Sequence, residues 1–300
     1  MEIAATKREL LASKHRVSSN TRRDKVNFHD QHAIITGGSS GIGRATARLL
    51  TRRGAHVSIV ARRQGPLDET LAELEPLRGS QSQRLRAYSA DLADWEQTRQ
   101  AIAALTTDGP PPDILVNAAG VTHPGYFEEL PLDIFHTMMD VDFFGTLHPI
   151  KAVLPVMMER RSGHIVNISS MAGFMGVFGY TAYSAAKFAV RGFSDVLRAE
   201  MKPYGIRVSV VFPPDTDTPQ LHYENQFKPL ETRRIAGTAK TLTADQVAQA
   251  IVRGIEQRRA YILPGFDAWL YSLLLNGFVG LTRWYFDRIV AQVRRERGVE

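Results

Sequence analysis

The sequence predicts an α/β protein in which helices cover both faces of one doubly wound parallel sheet. Short, nearly continuous apolar segments alternate with longer segments of helical periodicity between residues 31 and 263, as is typical of a sheet buried on both faces. A glycine-rich segment, TGGSSGIG, separates the first apolar segment from the first helical one. The chain has 300 residues, of which 44% are hydrophobic, so it can bury one large core and carry a short appendage.

The predicted elements follow one another in a regular order. Strands are predicted at residues 32–36, 56–61, 85–90, 113–117, 164–169, 206–212 and 260–263. Helices are predicted at 41–53, at 65–77 with a break near Pro76, and at 95–105, and two long helices flank the fifth strand. Thr243 and Gln246 form a capping-box pattern, which starts a helix that runs to about Arg258.

Composition divides the chain into three parts and narrows its function. Residues 1–30 form a basic tail that lacks the apolar core of a signal peptide, residues 31–264 form the α/β domain, and residues 265–300 are first apolar and then rich in arginine. The chain has no cysteine, which excludes disulfides, thiolate metal sites and a cysteine nucleophile, and we expect no metal. The net charge is +6 without a basic helix interleaved with aromatic residues, so we expect a phosphorylated cofactor or an anionic membrane surface as partner, and no nucleic acid.

The glycine-rich segment predicts a dinucleotide site of the Rossmann type. It follows the first strand and opens the first helix, where exposed N–H groups and the helix dipole hold phosphates. Glycine allows the tight turn and the close approach of a pyrophosphate. The predicted contacts are Gly37, Ser39, Ser40, Gly41, Ile42 and Gly43. A turn with a purely structural role is the alternative.

Arg62 and Arg63 at the end of the second strand indicate which dinucleotide binds. An acid at this position binds the ribose 2′-hydroxyl of NAD, and it would repel a 2′-phosphate. Two guanidinium groups attract that phosphate, so the sequence favours NADPH over NADH. A pair of solvated surface arginines is the alternative.

Two further strand ends complete the predicted cofactor site. Asp91 and Leu92 follow the third strand, where the adenine edge would lie, although Asp91 is also a good cap for the next helix. Asn117 begins the sequence NAAG at the end of the fourth strand. Small residues there allow the backbone to lie against the cofactor ribose, and a tight turn is the alternative.

Tyr183 and Lys187 predict a reaction centre. They are four residues apart and share one face of a helix. We expect the ammonium to lower the tyrosine pKa from about 10, which would make Tyr183 a general acid for reduction or a base for oxidation. Ser170 lies just past the fifth strand, and its hydroxyl can bind a substrate carbonyl as charge develops on the oxygen. An exposed helix pair is the alternative for the tyrosine and lysine taken alone.

From about residue 31 to residue 263 the chain resembles the short-chain dehydrogenase/reductase family. The motifs TGGSSGIG, NAAG, Ser170 and YSAAK carry this resemblance. It implies a Rossmann-like single domain that forms a dimer or tetramer, with Tyr183 as proton donor, Lys187 as its activator and Ser170 as the residue that orients the substrate. It also implies a contact between Thr218 and the nicotinamide amide.

Asp142 departs from the family pattern, which has an asparagine at this place in the helix after NAAG. That asparagine helps to hold a proton-relay water. An ionised aspartate accepts hydrogen bonds but cannot donate them. We therefore expect either that Asp142 replaces the asparagine with a changed pH profile, or that activity is reduced.

The segment PPDTDTP, from Pro213 to Pro219, resembles a subgroup of the family, the 3-ketodihydrosphingosine reductases. This resemblance implies NADPH-dependent reduction of a long-chain keto-amine lipid in sphingolipid biosynthesis. Asp215 and Asp217 are acids suited to a cationic amine. A rigid turn with local caps is an equal alternative for both of them.

The C-terminal segment fits a lipid substrate. Residues 268–282 carry no charge, and aromatic residues and arginines surround or follow them. Fifteen residues are short for a span, which takes about twenty, so we expect peripheral attachment to the cytoplasmic face of a membrane, or a hydrophobic lid over the substrate. A helix that packs in the core or in a dimer is the alternative.

Two other functions remain open from the sequence. One is reduction of another lipophilic ketone, such as a steroid, a retinoid or a fatty-acyl ketone. The other is a catalytically silent NADP-binding sensor or scaffold, for which Asp142 is the sole support. The intact set of Ser170, Tyr183 and Lys187 argues against the silent protein.

Overall fold

A computed structural model describes residues 26–107, 109–265 and 279–298, without the side chains of residues 279–283. In chain order the strands within these residues are β1 (His32–Thr36), β2 (His56–Ala61), β3 (Leu85–Ser89), β4 (Pro112–Asn117), β5 (Gly163–Ile168), β6 (Ile206–Val211), β7 (Thr216–Asp217), β8 (Leu242–Thr243) and β9 (Tyr261–Ile262). The α-helices are α1 (Gly41–Arg52), α2 (Gln64–Leu74), α3 (Trp95–Thr107), α4 (Leu132–Met138), α5 (Gly145–Arg160), α6 (Thr181–Met201), α7 (Pro219–Glu224), α8 (Leu230–Ala236), α9 (Ala244–Glu256) and α10 (Val279–Glu296).

In the described part of the chain, seven parallel strands form one sheet in the order β3-β2-β1-β4-β5-β6-β9. The order reverses between β1 and β4, and a crevice opens at such a switch point beyond the carboxyl ends of the strands. The predicted doubly wound α/β fold is confirmed. The short pair β7 and β8 was not predicted, and it ties the PPDTDTP segment to the start of α9.

The two faces of the sheet carry separate hydrophobic clusters because side chains alternate along each strand. On β1, Ala33 and Ile35 pack with residues of α1, α2 and α9, whereas Ile34 packs with residues of α3, α5 and α6. These strand residues are fully buried. Burial on both faces explains why the strands read as continuous apolar segments.

Most predicted boundaries hold within one to three residues, and the differences have local causes. The helix predicted at 65–77 ends at Leu74 and continues as a 3-10 turn over Glu75–Leu77, because Pro76 cannot donate the next helical hydrogen bond. The capping box at Thr243 is present, with bonds of 3.2 and 2.9 Å between its backbone and side-chain partners. The segment between α4 and α5, Met139–Phe144, is a π-helix. Such segments are rare and concentrate at functional sites.

The C-terminal helix α10 packs against α8. Phe286, Ile289 and Val293 are buried against Ile235, and Arg234 pairs with Glu296 at 2.7 Å. Of the uncharged segment 268–282, residues 268–278 and the side chains of 279–282 lie outside the described residues. Among the helices that the structure describes, none has the length and hydropathy needed to cross a bilayer.

Candidate active site

A cavity of about 800 Å³ lies at the carboxyl ends of the central strands. Its size is typical of small-molecule and cofactor sites. Most of the residues predicted for the site line it, namely Gly37, Ser39, Ser40, Gly41, Ile42, Arg62, Arg63, Asp91, Leu92, Ser170, Tyr183, Lys187 and Thr218. The fold therefore brings together residues from six separate segments of the chain.

The glycine-rich turn has a shape that side chains would prevent. Gly37 has φ +64°, and a Cβ there would lie 2.6 Å from the Ala118 carbonyl oxygen. A Cβ on Gly43 would lie 2.3 Å from the Gly37 carbonyl oxygen. Gly43 itself does not line the cavity. Its lack of a side chain allows the first turn of α1 to pack closely against the glycine-rich turn.

The start of α1 suits an anion. Ser40 is the N-cap residue, its side chain makes no capping hydrogen bond, and the first turn contains no acid. The N–H groups of this turn and the positive end of the helix dipole are thus available to a ligand phosphate. Together with the cradle formed by Gly37, this end of the cavity fits a dinucleotide pyrophosphate.

Arg62 and Arg63 lie at the cavity rim, directly after β2. Both are exposed, and neither forms an ion pair with any residue that the structure describes. Their charges are therefore open to an anionic group of the ligand. Arg62 is held in place through its backbone carbonyl, which accepts a hydrogen bond of 2.9 Å from the Ser89 hydroxyl.

Asp91 lines the cavity, and the helix-capping role considered for it belongs to Asp94. Asp94 accepts a hydrogen bond of 2.9 Å from the Gln97 amide in the first turn of α3, and this bond lowers the pKa of its carboxyl. Asp91 accepts one hydrogen bond of 3.1 Å, from the Ala93 amide. The hydrogen bond from the Ala93 amide to Asp91 fixes the loop that places Asp91 and Leu92 in the cavity wall.

The structure does not bring the Asn117 side chain into the cavity. Asn117 is buried, and its amide donates a hydrogen bond of 2.9 Å to the Asn167 side chain, which in turn donates to Ser194 at 2.8 Å. The three residues after Asn117, Ala118, Ala119 and Gly120, line the cavity instead. Asn117 thus lies outside the cavity, and its side-chain hydrogen bond joins β4 to β5.

Ser170, Tyr183 and Lys187 face the cavity together. Ser170 caps a 3-10 turn, with its hydroxyl accepting from the Ala172 amide at 3.1 Å, and its side chain lies close enough to Tyr183 to affect the pKa of the phenol. The Lys187 ammonium lies 5.5 Å from the centroid of the Tyr183 ring and donates to the Ile168 carbonyl at 3.3 Å. The predicted constellation is therefore present in the fold.

Asp142 lies behind Lys187 and outside the cavity lining. It is fully buried in the π-helix, and its Oδ1 accepts from the Val121 amide at 2.9 Å and lies 3.4 Å from the Lys187 ammonium. Its Oδ2 is buried without a hydrogen-bond partner among the described residues. Burial raises the pKa of Asp142, and the charge of Lys187 opposes that rise.

The expectation that Lys187 lowers the pKa of Tyr183 is wrong for this arrangement of side chains. Burial raises the pKa of Tyr183 well above 10, the charges of Asp142 and Glu224 raise it further, and the Ser170 side chain opposes them. Lys187 lies beside Asp142, so the carboxylate offsets the effect of the ammonium on the phenol. A raised pKa keeps Tyr183 protonated, and it also makes the phenol a weaker acid than one whose pKa lies near the working pH.

Thr218 reaches the cavity as the cap of the short helix α7. Its hydroxyl accepts from the Leu221 amide at 3.3 Å and donates to the Thr216 carbonyl at 3.1 Å. It also lies against the glycine-rich turn, because a Cβ on Gly41 would come within 3.0 Å of the Thr218 methyl carbon.

The sequence offered Asp215 as an acid suited to an amine, but it did not reveal the polar contacts that join this residue to its neighbours beside Tyr183. Tyr180 packs its ring 5.6 Å from that of Tyr183, and its hydroxyl donates to Glu224 at 3.1 Å. Lys228 lies 2.8 Å from both Glu224 and Asp215. The spacing of Glu224 and Lys228 was visible in the sequence, but it is also that of an ordinary exposed helix pair. Asp217 pairs with His222 at the surface instead.

A parallel-sheet nucleotide fold with a serine, a tyrosine and a lysine at the switch point defines an oxidoreductase. The chain belongs to the short-chain dehydrogenase family, whose model matches residues 31–229. A 3-dehydrosphinganine reductase of Danio rerio is 41% identical over 258 residues, which cover 86% of this chain and 78% of that protein.

Solved structures of the same fold include complexes with both nicotinamide cofactors. A short-chain dehydrogenase from Sphingobium yanoikuyae in complex with NADPH has a TM-score of 0.71 at 27% identity, covering 84% of this chain and 95% of that one. One from Burkholderia phymatum in complex with NAD has a TM-score of 0.75 at 23% identity, covering 86% and 96%. The second likeness concerns the fold alone.

Proposed function

We propose that the protein reduces the 3-keto group of 3-ketodihydrosphingosine to the alcohol, with NADPH as hydride donor, in sphingolipid biosynthesis. The observation that carries this proposal is the placement of Ser170, Tyr183 and Lys187 in one cavity wall. The likeness to a 3-dehydrosphinganine reductase supports the choice of substrate.

The proposed reaction divides the two halves of the reduction between cofactor and protein. The cavity that the glycine-rich turn and Thr218 line would hold the nicotinamide cofactor, which would supply the hydride to the carbonyl carbon. Ser170 donates a hydrogen bond to the carbonyl oxygen, and Tyr183 transfers its phenolic proton to that oxygen as negative charge develops. Lys187 then stabilises the phenolate that remains on Tyr183. These roles use three side chains that line one cavity, with the Lys187 ammonium 5.5 Å from the centroid of the Tyr183 ring.

The choice of NADPH rests on Arg62 and Arg63. Both guanidinium groups lie at the end of β2 and neither has an ion-pair partner among the described residues. A ribose 2′-phosphate would receive charge-assisted hydrogen bonds from them. The ribose 2′-hydroxyl of NADH carries no charge with which the two guanidinium groups could pair.

A long acyl chain has an apolar place in the cavity wall. Met175, Val177, Ile235 and Phe286 line the cavity and pack together, and Phe286 comes from α10. This arrangement supports α10 as a lid over the lipid.

On the outer face of α10, Trp284 and Tyr285 are 52% and 46% exposed. Arg288 lies over the Trp284 ring at 5.0 Å. Aromatic residues and arginines are suited to the headgroup region of a bilayer. We propose that this face holds the enzyme at the cytoplasmic surface of a membrane.

The decisive experiment follows NADPH oxidation by the purified protein with 3-ketodihydrosphingosine in detergent micelles. We expect turnover with NADPH, much slower turnover with NADH, and formation of the C3 alcohol. Turnover of a steroid, retinoid or fatty-acyl ketone without turnover of the keto-amine would replace the proposed substrate. Tight NADPH binding without turnover of any of these ketones would favour a silent sensor.

A further inference from the structure

Two carboxylates and one ammonium meet in the cavity wall beside Tyr183. Glu224 ends α7, Asp215 lies between β6 and β7, and Lys228 follows α7. The Lys228 ammonium lies 2.8 Å from a carboxylate oxygen of each acid. Because there are two acids for one lysine, the group carries one uncompensated negative charge.

The uncompensated charge faces the cavity. Glu224 and Asp215 line the cavity and Lys228 does not, so the ammonium lies behind the two carboxylates. The Glu224 side chain is only 9% exposed. Within the described residues, Glu224 Oε2 and Asp215 Oδ1 make no hydrogen bond, since each acid uses its other oxygen for Lys228.

A buried carboxylate without full compensation favours a cationic ligand. Removal of a charge from water is costly unless an opposite charge and hydrogen bonds replace the water. Burial raises the pKa of Glu224, and the charge of Lys228 opposes this rise. A second cation at the free oxygens would complete the compensation.

The carboxylate group lies close to the reacting atoms. The Tyr180 hydroxyl donates to Glu224 at 3.1 Å, and the Tyr180 ring lies 5.6 Å from that of Tyr183. The charges of Glu224 and Asp215 both raise the pKa of Tyr183, so they lie within Coulombic range of the phenol. In the keto-amine substrate the amine sits on the carbon next to the ketone carbon. A carbonyl held by Tyr183 and Ser170 therefore brings the ammonium to the neighbourhood of these acids.

We propose that Glu224 and Asp215 form the binding site for the substrate ammonium and thereby select α-amino ketones over other lipophilic ketones. The inference rests on the proposed function and adds its specificity determinant. Lys228 sets the charge of the site at one negative unit, which a single ammonium neutralises. Tyr180 holds Glu224 in place through its hydroxyl.

The test compares two substrates of equal chain length, the keto-amine and the same 1-hydroxy-3-ketone with hydrogen in place of the amine. Glu224→Gln keeps the shape of the side chain and its bond to Tyr180 but removes the charge. We expect kcat/KM for the keto-amine to fall on the order of tenfold to a hundredfold, as for a lost hydrogen bond to a charged group. We expect the amine-free ketone to change by less than about twofold, because it makes no ion pair.

Asp217→Asn is the matched control. Asp217 lies two residues after Asp215, in β7, but its side chain is 62% exposed and pairs with His222. We expect this variant to match the parent protein on both substrates. Asp215→Asn should reproduce the selective effect of Glu224→Gln in weaker form, since the Asp215 side chain is 30% exposed.

Four outcomes separate the two proposals. An equal loss on both substrates in Glu224→Gln, or equal efficiency of the parent protein on both, would overturn the ammonium site and leave the proposed reaction in place. No turnover of the keto-amine by the parent protein would overturn both. A selective loss on the keto-amine, with unchanged NADPH affinity by fluorescence, would support the site.

Discussion

The Lys187 ammonium lies 3.4 Å from Oδ1 of the fully buried Asp142. Asp142 is thus the nearest charge behind the tyrosine–lysine pair. Oδ1 of Asp142 also accepts a hydrogen bond from the Val121 amide. This hydrogen bond fixes the loop after NAAG against the π-helix. This pair joins the cofactor loop, the π-helix and α6 at the reaction centre.

The substitution Asp142→Asn should move the alkaline limb of the pH profile to lower pH. The charge of Asp142 raises the pKa of Tyr183, so its removal lowers that pKa. Reduction needs the protonated phenol, and turnover falls as pH rises through the Tyr183 pKa. In the variant this decline should therefore begin at a lower pH, measured as kcat/KM for reduction across the alkaline range. Asp140→Asn, an exposed site in the same π-helix, should leave the limb where it is; a limb that stays fixed or rises in Asp142→Asn would contradict the prediction.

Tyr183→Phe should remove the proton donor and preserve the fold. The phenyl ring keeps the buried packing of Tyr183, and general acid catalysis contributes about 10²- to 10⁴-fold to a rate. We expect a fall in turnover of this order with NADPH affinity nearly unchanged, measured by steady-state kinetics and cofactor fluorescence. Tyr204→Phe, away from the cavity lining, serves as control. Full activity in Tyr183→Phe would assign the proton to another group.

Replacement of both Arg62 and Arg63 by alanine should reduce the preference for NADPH. A hydrogen bond to a charged group contributes about 1.5–3 kcal/mol, so kcat/KM with NADPH should fall by about tenfold to several hundredfold. The value with NADH should change little. Arg52→Ala removes an exposed charge at the far end of α1, outside the cavity lining, and should alter kcat/KM with neither cofactor. Parallel losses with both cofactors would argue against a 2′-phosphate site.

Trp284→Ser combined with Tyr285→Ser should weaken binding to anionic vesicles. Burial of a large apolar side chain contributes about 1.5–3 kcal/mol, so the vesicle-binding constant, measured by flotation at several lipid concentrations, should drop by about tenfold or more. Binding of the parent protein should weaken as salt rises, because the arginines of α10 act electrostatically. Trp95→Ser, an exposed tryptophan on α3 that is 42% exposed, is the control. Equal flotation of both variants would contradict attachment through α10.

Features that depend on local patterns could be predicted from the amino-acid sequence. Apolar segments at strand spacing predicted the sheet, because burial on both faces requires them. The turn at Gly37 could be predicted because its backbone conformation requires glycine. The pair Tyr183 and Lys187 could be predicted because a spacing of four residues places both side chains on one helix face. The predicted capping box at Thr243 is likewise confirmed because its partners lie within one helical turn.

The contacts between charged side chains depend on the tertiary fold and could not be predicted from local patterns. Asp142 contacts Lys187, and Asp215 and Glu224 share Lys228, because separate elements converge at the carboxyl ends of the strands. The direction of the Tyr183 pKa shift depends on burial and on the distances to all of these charges at once. Desolvation and Coulomb energy are functions of position in space, so the spacing of Tyr183 and Lys187 along one helix predicted the catalytic pair but gave the wrong sign for its pKa.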